Sequence, residues 1–195
     1  MRTFRPRIDR LAARFRREEQ GAVAVEFSLV ILLFITIVLA IFELAMVMLA
    51  YATLDMATQV AGRQIRTGEF QMGTASSKSD FKSLVCSKMS WLTSQCIADA
   101  YVEVRTFSSF GGTSGLAQNI SQGASAFNPN TTCFSVGGPT DIVLVRTYLK
   151  WRLFTPFLDG AMENMGAGSG MRLISSATAF RNEPYNETAP VGSKC

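Results

Sequence analysis

The chain contains no histidine, and only 17% of its 195 residues are charged. An average soluble protein has roughly 25% charged residues, so part of the apolar content does not belong to a water-soluble core. The lack of histidine removes Ser-His-Asp and Cys-His catalysis, histidine-ligated zinc and the usual proton shuttle near neutral pH. Most familiar enzyme classes are therefore disfavoured, and we expect no catalytic residues, no bound metal and no cofactor.

The formal net charge of +4 is confined to the N-terminus. Residues 1–21 contain seven Arg against Asp9, Glu18 and Glu19, a balance of +4, which leaves 12 basic and 12 acidic residues downstream. A nucleic-acid-binding domain needs a basic face on its folded part. The neutral remainder therefore argues against nucleic acid as a partner.

A long apolar stretch follows the basic segment. Phe27 to Phe42 are 16 consecutive uncharged residues, and across residues 22–52 the only charges are Glu26 and Glu43. A helix of roughly 20 apolar residues crosses a bilayer core of about 30 Å. Because the Arg cluster lies on the N-terminal flank, the positive-inside rule predicts a cytoplasmic N-terminus and a single transmembrane segment over about 22–45. We expect Glu43 to extend toward the outer headgroups.

Apolar residues continue beyond this segment at helical spacing. They recur three and four residues apart, as expected for one face of an amphipathic helix, at Leu44, Val47, Met48, Tyr51, Leu54, Ala61 and Ile65. Gly68 supplies a C-terminal stop. The sequence therefore predicts one stem helix over residues 22–67, between a cytoplasmic leader of residues 1–21 and an extracytoplasmic domain of residues 68–195.

The remainder is predicted to be α+β, because one helix is followed by strands. A second helix is expected near Asp80–Leu92, where Ser77 and Asp80 have the spacing of a capping box. Alternating patterns predict strands that form a small antiparallel sheet on the amphipathic half of the stem; they cover Tyr101–Phe107, Asp141–Lys150 and Met171–Arg181. Ser108–Thr140 reads as a long flexible loop. We expect Trp151 and Phe154 to form a buried corner of the sheet.

All four cysteines fall in the predicted outer domain, at Cys86, Cys96, Cys133 and Cys195. An oxidising compartment favours disulfides over metal ligation, and four cysteines allow three connectivities. Cys86 and Cys96 would close a short loop at the end of the second helix. The pair Cys133–Cys195 then follows by elimination if no cysteine stays free.

The run Gln20 to Phe27, QGAVAVEF, resembles the class III signal of the type IV pilin superfamily: a basic leader, a Gly, four small or apolar residues, Glu and an aromatic. Together with SATAFRNEPY at residues 176–185, it resembles the TadE family of minor pseudopilins of the tight-adherence (Tad, or Flp) pilus. The resemblance implies a pilin-like fold. It also implies cleavage between Gly21 and Ala22 by a prepilin peptidase.

The same resemblance assigns roles and partners. Glu26, followed by Phe27 in the motif, would neutralise the new N-terminus of a neighbouring subunit during assembly. Expected partners are the bilayer, the prepilin peptidase, other Tad pilins and pseudopilins, and an assembly platform in the bacterial inner membrane. The protein would be stored there with its C-terminal domain in the periplasm and act in pilus assembly or initiation for adhesion or secretion.

Two alternatives remain open from the sequence. The chain could be an uncleaved, membrane-anchored binding domain or enzyme. It could also be a secreted domain, since Ala50-Tyr51-Ala52 has the form of an A-x-A signal peptidase site, although the apolar core is longer than the usual 7–15 residues or so. The N-terminal residue distinguishes the three forms: Ala22 for the pseudopilin, Met1 for the anchor and Thr53 for the secreted domain.

Overall fold

A computed structural model describes residues 19–73, 77–113, 127–128, 132–155 and 158–185. Its architecture is α+β and pilin-like: a long N-terminal helix followed by a small antiparallel sheet. In chain order the elements are α1 (Glu19–Arg66), α2 (Glu69–Met72), α3 (Lys78–Ser87), a 3-10 turn (Ser90–Leu92), α4 (Thr93–Asp99), β1 (Ala100–Phe107), a second 3-10 turn (Phe110–Thr113), β2 (Ile142–Arg152), α5 (Asp159–Met162) and β3 (Met171–Arg181).

Helix α1 extends from Glu19 to Arg66 without interruption. Within the described residues it already includes Glu19, three residues before the predicted start, and it ends within one residue of the predicted end. The stop is Gly68, whose φ of 78° lies in the left-handed region that glycine adopts without strain. A Cβ at this position would lie 2.5 Å from the ring of Tyr185, so the close approach of that ring also requires glycine.

The chain divides into two compact units, residues 1–42 and 43–195, and the boundary falls inside α1. Residues 21–42 are all described, and none of them is buried. In the second unit, by contrast, one face of α1 enters the core at spacings of three and four. This face consists of Val47, Ala50, Leu54, Ala57, Ala61 and Ile65.

The sheet has the order β1-β2-β3, and both pairings are antiparallel. The predicted sheet and the exact bounds of β3 are confirmed, while β1 and β2 differ from the prediction by one or two residues at their ends. Alternate side chains face α1, among them Val104, Val145 and Ile174. Polar contacts fix the same interface, because Thr58 hydrogen-bonds Thr147 and the Ser176 hydroxyl donates to Asp55 at 2.6 Å.

The other face of the sheet is also covered in part. Phe127 is buried between the rings of Tyr101 and Tyr148, at centroid distances of 5.1 and 5.0 Å. Phe134 forms a bridge beside Val104 on the outer edge of β1. The segment predicted as a flexible loop therefore contributes packed residues where the structure describes it, while residues 114–126 and 129–131 lie outside the described ranges.

The second helix begins as predicted and ends earlier. Ser77 caps α3, and its side chain and that of Asp80 form the reciprocal capping box. The helix ends at Ser87 rather than Leu92, because the chain turns at Ser90, which has a φ of 50°. A separate short helix, α4, follows and carries Cys96 into the core.

Candidate functional site

The motif residues at the start of α1 lie on an exposed helical surface. The Gly21–Ala22 bond is inside the first turns of the helix, and a Cβ built at Gly21 would meet no atom within 4 Å. Glu26 is four residues after Ala22, so the two share a helical face. Within the described ranges, Glu26 makes no hydrogen bond or ion pair, and Phe27 is exposed. Packing among the described residues therefore explains none of Gly21, Ala22, Glu26 and Phe27.

Over Gly21–Arg66, helix α1 is long and apolar enough to cross a membrane. Among the described residues, no other helix meets this condition. Its outer surface stays apolar beyond the first unit. We call this surface the outer stripe; it consists of Leu44, Ala45, Met48, Leu49, Ala52, Met56 and Val60, all exposed. Leu44, Met48 and Tyr51 were expected on the core face, and that expectation is wrong, because the buried face is centred on Leu54 and Ala61.

Glu43 is fully buried in the second unit, contrary to the prediction that it reaches the headgroups. Its carboxylate accepts the backbone N–H of Phe154 at 2.8 Å and that of Thr155 at 2.9 Å. Those two residues follow β2. The buried carboxylate is stabilised because it accepts hydrogen bonds from two backbone N–H groups. The pattern of side chains in the sequence does not indicate these donors.

The C-terminal stretch of residues 176–185 closes the domain against the end of α1. Asn182 is buried and donates to the carbonyls of Val136 and Gly138 at 3.1 and 2.9 Å. Glu183 donates its N–H to the carbonyl of Arg66 at 2.8 Å, and their side chains form an ion pair at 3.2 Å. The motif therefore has a structural role in this domain.

Cys86 and Cys96 form a disulfide, with their Cα atoms 5.4 Å apart, as predicted from their spacing. Both cysteines are buried, and the bond joins α3 to α4. Cys133 is among the described residues, but Cys195 is outside them. The pair Cys133–Cys195 therefore stays a prediction.

A buried carboxylate on β1, Glu103, is the centre of a polar cluster that the alternating strand pattern does not predict. It pairs with Arg105 at 2.6 Å and with Arg146 at 3.1 Å, and it accepts the hydroxyl of Tyr148 at 3.1 Å. Burial, together with this hydrogen bond, raises the pKa of Tyr148 above its ordinary value. Burial also disfavours the charged form of Lys78 and so lowers its pKa, while the negative charge of Glu103 opposes that shift.

Both oxygens of Glu103 are thus engaged in structural contacts, which leaves it without the geometry of a general acid or base. Within the part of the chain that the structure describes, no group of three or more His, Cys, Asp or Glu could hold a metal ion.

Comparison with known proteins gives a match at the helix that carries the motif. Residues 21–63 match the family model described as TadE-like protein, and the residues after them are unmatched. No curated protein and no solved structure is similar to the chain at a significant level. The matched residues include Gly21, Glu26 and Glu43. Over residues 21–63 the chain is therefore similar to TadE-like proteins.

Proposed function

We propose that the chain is a minor pseudopilin of the Tad pilus, cleaved by a prepilin peptidase between Gly21 and Ala22. It is stored as a single-pass protein of the bacterial inner membrane and contributes its periplasmic domain to pilus assembly or initiation. Its partners are the peptidase, other Tad pilins and pseudopilins, and the membrane assembly platform. The basic residues of the leader favour a cytoplasmic N-terminus.

The observation that carries the proposal is that the two halves of α1 have different surroundings. Residues 21–42 expose apolar side chains throughout, whereas residues 43–66 contribute a buried face to the folded domain. The outer stripe continues the apolar surface along the same helix past Glu43. The apolar surface of residues 21–42 fits a bilayer during storage, and the outer stripe fits packed helices in an assembled filament.

The surroundings of Gly21 support the cleavage site. Glycine in a helix costs about 1 kcal/mol relative to Ala, and at this position the fold gains nothing from it, because the space around a Cβ is open. Glycine lowers the stability of the helix at this position, so the backbone can unwind more easily into an extended form. A peptidase that binds extended backbone would therefore favour glycine before the cleaved bond. Cleavage would place the ammonium group of Ala22 four residues before Glu26.

The hydrophobic core of the second unit disfavours the secreted alternative, because it includes residues that precede Ala52. Cleavage after Ala52 would remove Glu43, Val47 and Ala50, all buried in the second unit. The orphaned N–H groups of Phe154 and Thr155 would then have to be satisfied by water. The domain therefore needs residues that a secreted form would lose.

N-terminal sequencing of the membrane-bound protein, produced with and without the peptidase of the same Tad system, tests the proposal. We expect Ala22 as the first residue with the peptidase and Met1 without it. The Gly21→Leu variant should remain a precursor, while Gly21→Ala serves as a smaller control. Normal processing of Gly21→Leu, or Thr53 as the first residue, would contradict the cleavage site.

A second experiment addresses Glu26. Replacing a carboxylate in an apolar segment by Ala favours or leaves unchanged its insertion into a membrane. We therefore expect Glu26→Ala to reach normal levels in the membrane but to reduce pilus formation. Wild-type piliation by Glu26→Ala would assign Glu26 an interfacial role only.

A further inference from the structure

Three residues after β2, Leu153 to Thr155, form a segment that we call the strap. Leu153 and Thr155 are buried, whereas Phe154 is 53% exposed. The strap is attached to α1 by the carboxylate of Glu43, which accepts the N–H groups of Phe154 and Thr155. The position of Glu43 along the helix therefore sets the position of the strap.

Glu43 is the first residue after the uncharged run that ends at Phe42. A helix from Ala22 to Phe42 would be about 31 Å long at a rise of about 1.5 Å per residue, close to the thickness of a bilayer hydrocarbon core. The outer boundary of the hydrocarbon then falls beside Glu43. The strap is hydrogen-bonded to Glu43, the residue that directly follows this run in the chain, so it is attached close to that boundary.

The chemistry of the strap suits this boundary. Irregular backbone is excluded from lipid unless its polar groups are satisfied within the protein, and Glu43 satisfies two N–H groups of the strap. Trp and Tyr are enriched at the level of the headgroups, and interfacial segments also place Phe and Leu at the boundary between headgroups and acyl chains. Phe154 is the residue of the strap that exposes its ring. Exposed Arg152, the last residue of β2, supplies a cation two residues before Phe154 in the chain, and exposed Leu44 adds apolar surface one residue after Glu43.

We propose that the strap is a membrane-contact site, in which Phe154 lies in the outer headgroup region of the bilayer and Glu43 holds it at that depth. The partner is the lipid surface itself. The proposal rests on the membrane span of the proposed function and adds a second contact between the chain and the bilayer. Sequence reasoning assigned Phe154 to a buried corner with Trp151; Trp151 is buried, but Phe154 is not.

Depth-dependent fluorescence quenching tests the site in the full-length protein in vesicles of phosphatidylcholine and phosphatidylglycerol. Trp91 and Trp151 are replaced by Phe, and one new tryptophan is introduced, as Phe154→Trp, Phe110→Trp or Leu33→Trp. Phe110 is the matched control, since it is 51% exposed and also aromatic. Leu33, near the middle of the apolar run, reports the membrane span. Bromine atoms are placed either near the headgroup end or near the terminal methyl of the acyl chains.

We expect shallow bromines to reduce the emission of the Phe154→Trp variant about twofold and deep bromines to reduce it little, as for an interfacial aromatic. The Leu33→Trp variant should respond to deep bromines, and the Phe110→Trp variant to neither. If Leu33→Trp is quenched and Phe154→Trp is not, the strap proposal is overturned and the membrane span stands. If Leu33→Trp is not quenched, the span and the strap proposal fail together.

The role of Glu43 is tested in the same background. Glu43→Gln removes one of the two acceptor oxygens, so shallow quenching of the Phe154→Trp variant should decrease, while Glu26→Gln should leave it unchanged. Resistance of the Cys86–Cys96 disulfide region to protease verifies that the Glu43→Gln domain is folded. Unchanged quenching in folded Glu43→Gln would overturn the positioning role. A photoreactive phenylalanine analogue at position 154 that cross-links to a neighbouring subunit, and not to lipid, would overturn the choice of partner.

Discussion

Replacing Glu43 by Ala should destabilise the domain strongly, although the residue lies next to an apolar run. The change removes the acceptor of two backbone N–H groups, one buried at Thr155 and one partly buried at Phe154. A hydrogen bond to a charged group contributes about 1.5–3 kcal/mol, and a buried donor left without an acceptor carries most of that cost. The N–H of Phe154 is only partly buried, so it contributes less of this cost than the N–H of Thr155. We therefore expect Glu43→Ala to lower the free energy of unfolding by about 3–4 kcal/mol.

Thermal unfolding of the full-length protein in detergent measures this loss. For a chain of this size, 1 kcal/mol corresponds to a shift in Tm of about 2–4 °C, so the Tm of Glu43→Ala should fall by about 10 °C. Glu43→Gln keeps one acceptor oxygen and should lose about half as much. Glu26→Ala is the matched control, since it removes a carboxylate from the same helix at a position that has no hydrogen bond or ion pair to the described residues. Equal Tm values for Glu43→Ala and Glu26→Ala would refute the reasoning.

Three further perturbations have defined outcomes. Gly68→Ala places a methyl group against the ring of Tyr185 in a left-handed conformation, and we expect a loss of about 1–3 kcal/mol in the free energy of unfolding, measured in urea. Cys86→Ser removes the disulfide to Cys96, which closes a loop with a sequence separation of 10; the chain-entropy estimate is about 3 kcal/mol, and an unchanged urea midpoint under oxidising conditions would contradict it. Glycine N–H groups bonded to the carboxylate hold the pKa of Glu163 below its usual value of 4.5. Its stabilisation of the local turn is therefore complete above about pH 4.5 and is lost as the pH falls through the lower folded-state pKa. The protection factors of the amides in this turn, which are exchange rates corrected for the intrinsic effect of pH, should therefore decrease in acid for the wild type and show no such step for Glu163→Gln.

The elements that the sequence predicted well are those with a local signal. Strand β3 has turn-forming residues before it and a charged end, and its bounds are as predicted. The stop of α1 at Gly68 and the Ser77 capping box are likewise encoded within a few residues. The break after Ser87 has no such signal, because the residue with positive φ is Ser90 rather than a glycine. An apolar periodicity that continued to Leu92 therefore predicted one helix where the chain forms two.

The roles of the buried carboxylates depend on distant partners, which no local pattern contains. Glu43 binds backbone groups 111 and 112 residues away, and such donors carry no sequence signature. Glu103 alternates in sequence with Val102 and Val104, yet all three are buried, and the register of the sheet places Glu103 opposite Arg146. Phe154 was misassigned for the same reason. Its exposure follows from how the strap attaches to Glu43 and not from its apolar neighbours in sequence.

The hydrogen bonds that attach α1 to the sheet and the strap join it to segments that are translated late. Thr58 contacts a residue 89 positions later, Glu43 one that is 112 later, and Asp55 one that is 121 later. Contacts of such separation form slowly, because the intervening chain must first be ordered. If the domain emerges on the far side of the membrane from its N-terminal end, the Cys86–Cys96 loop can close early, while the inner face of α1 stays uncovered until β3 has crossed. Completion of the core is thereby coupled to translocation of the whole chain, and a product that stops before Met171 leaves that face without its last strand.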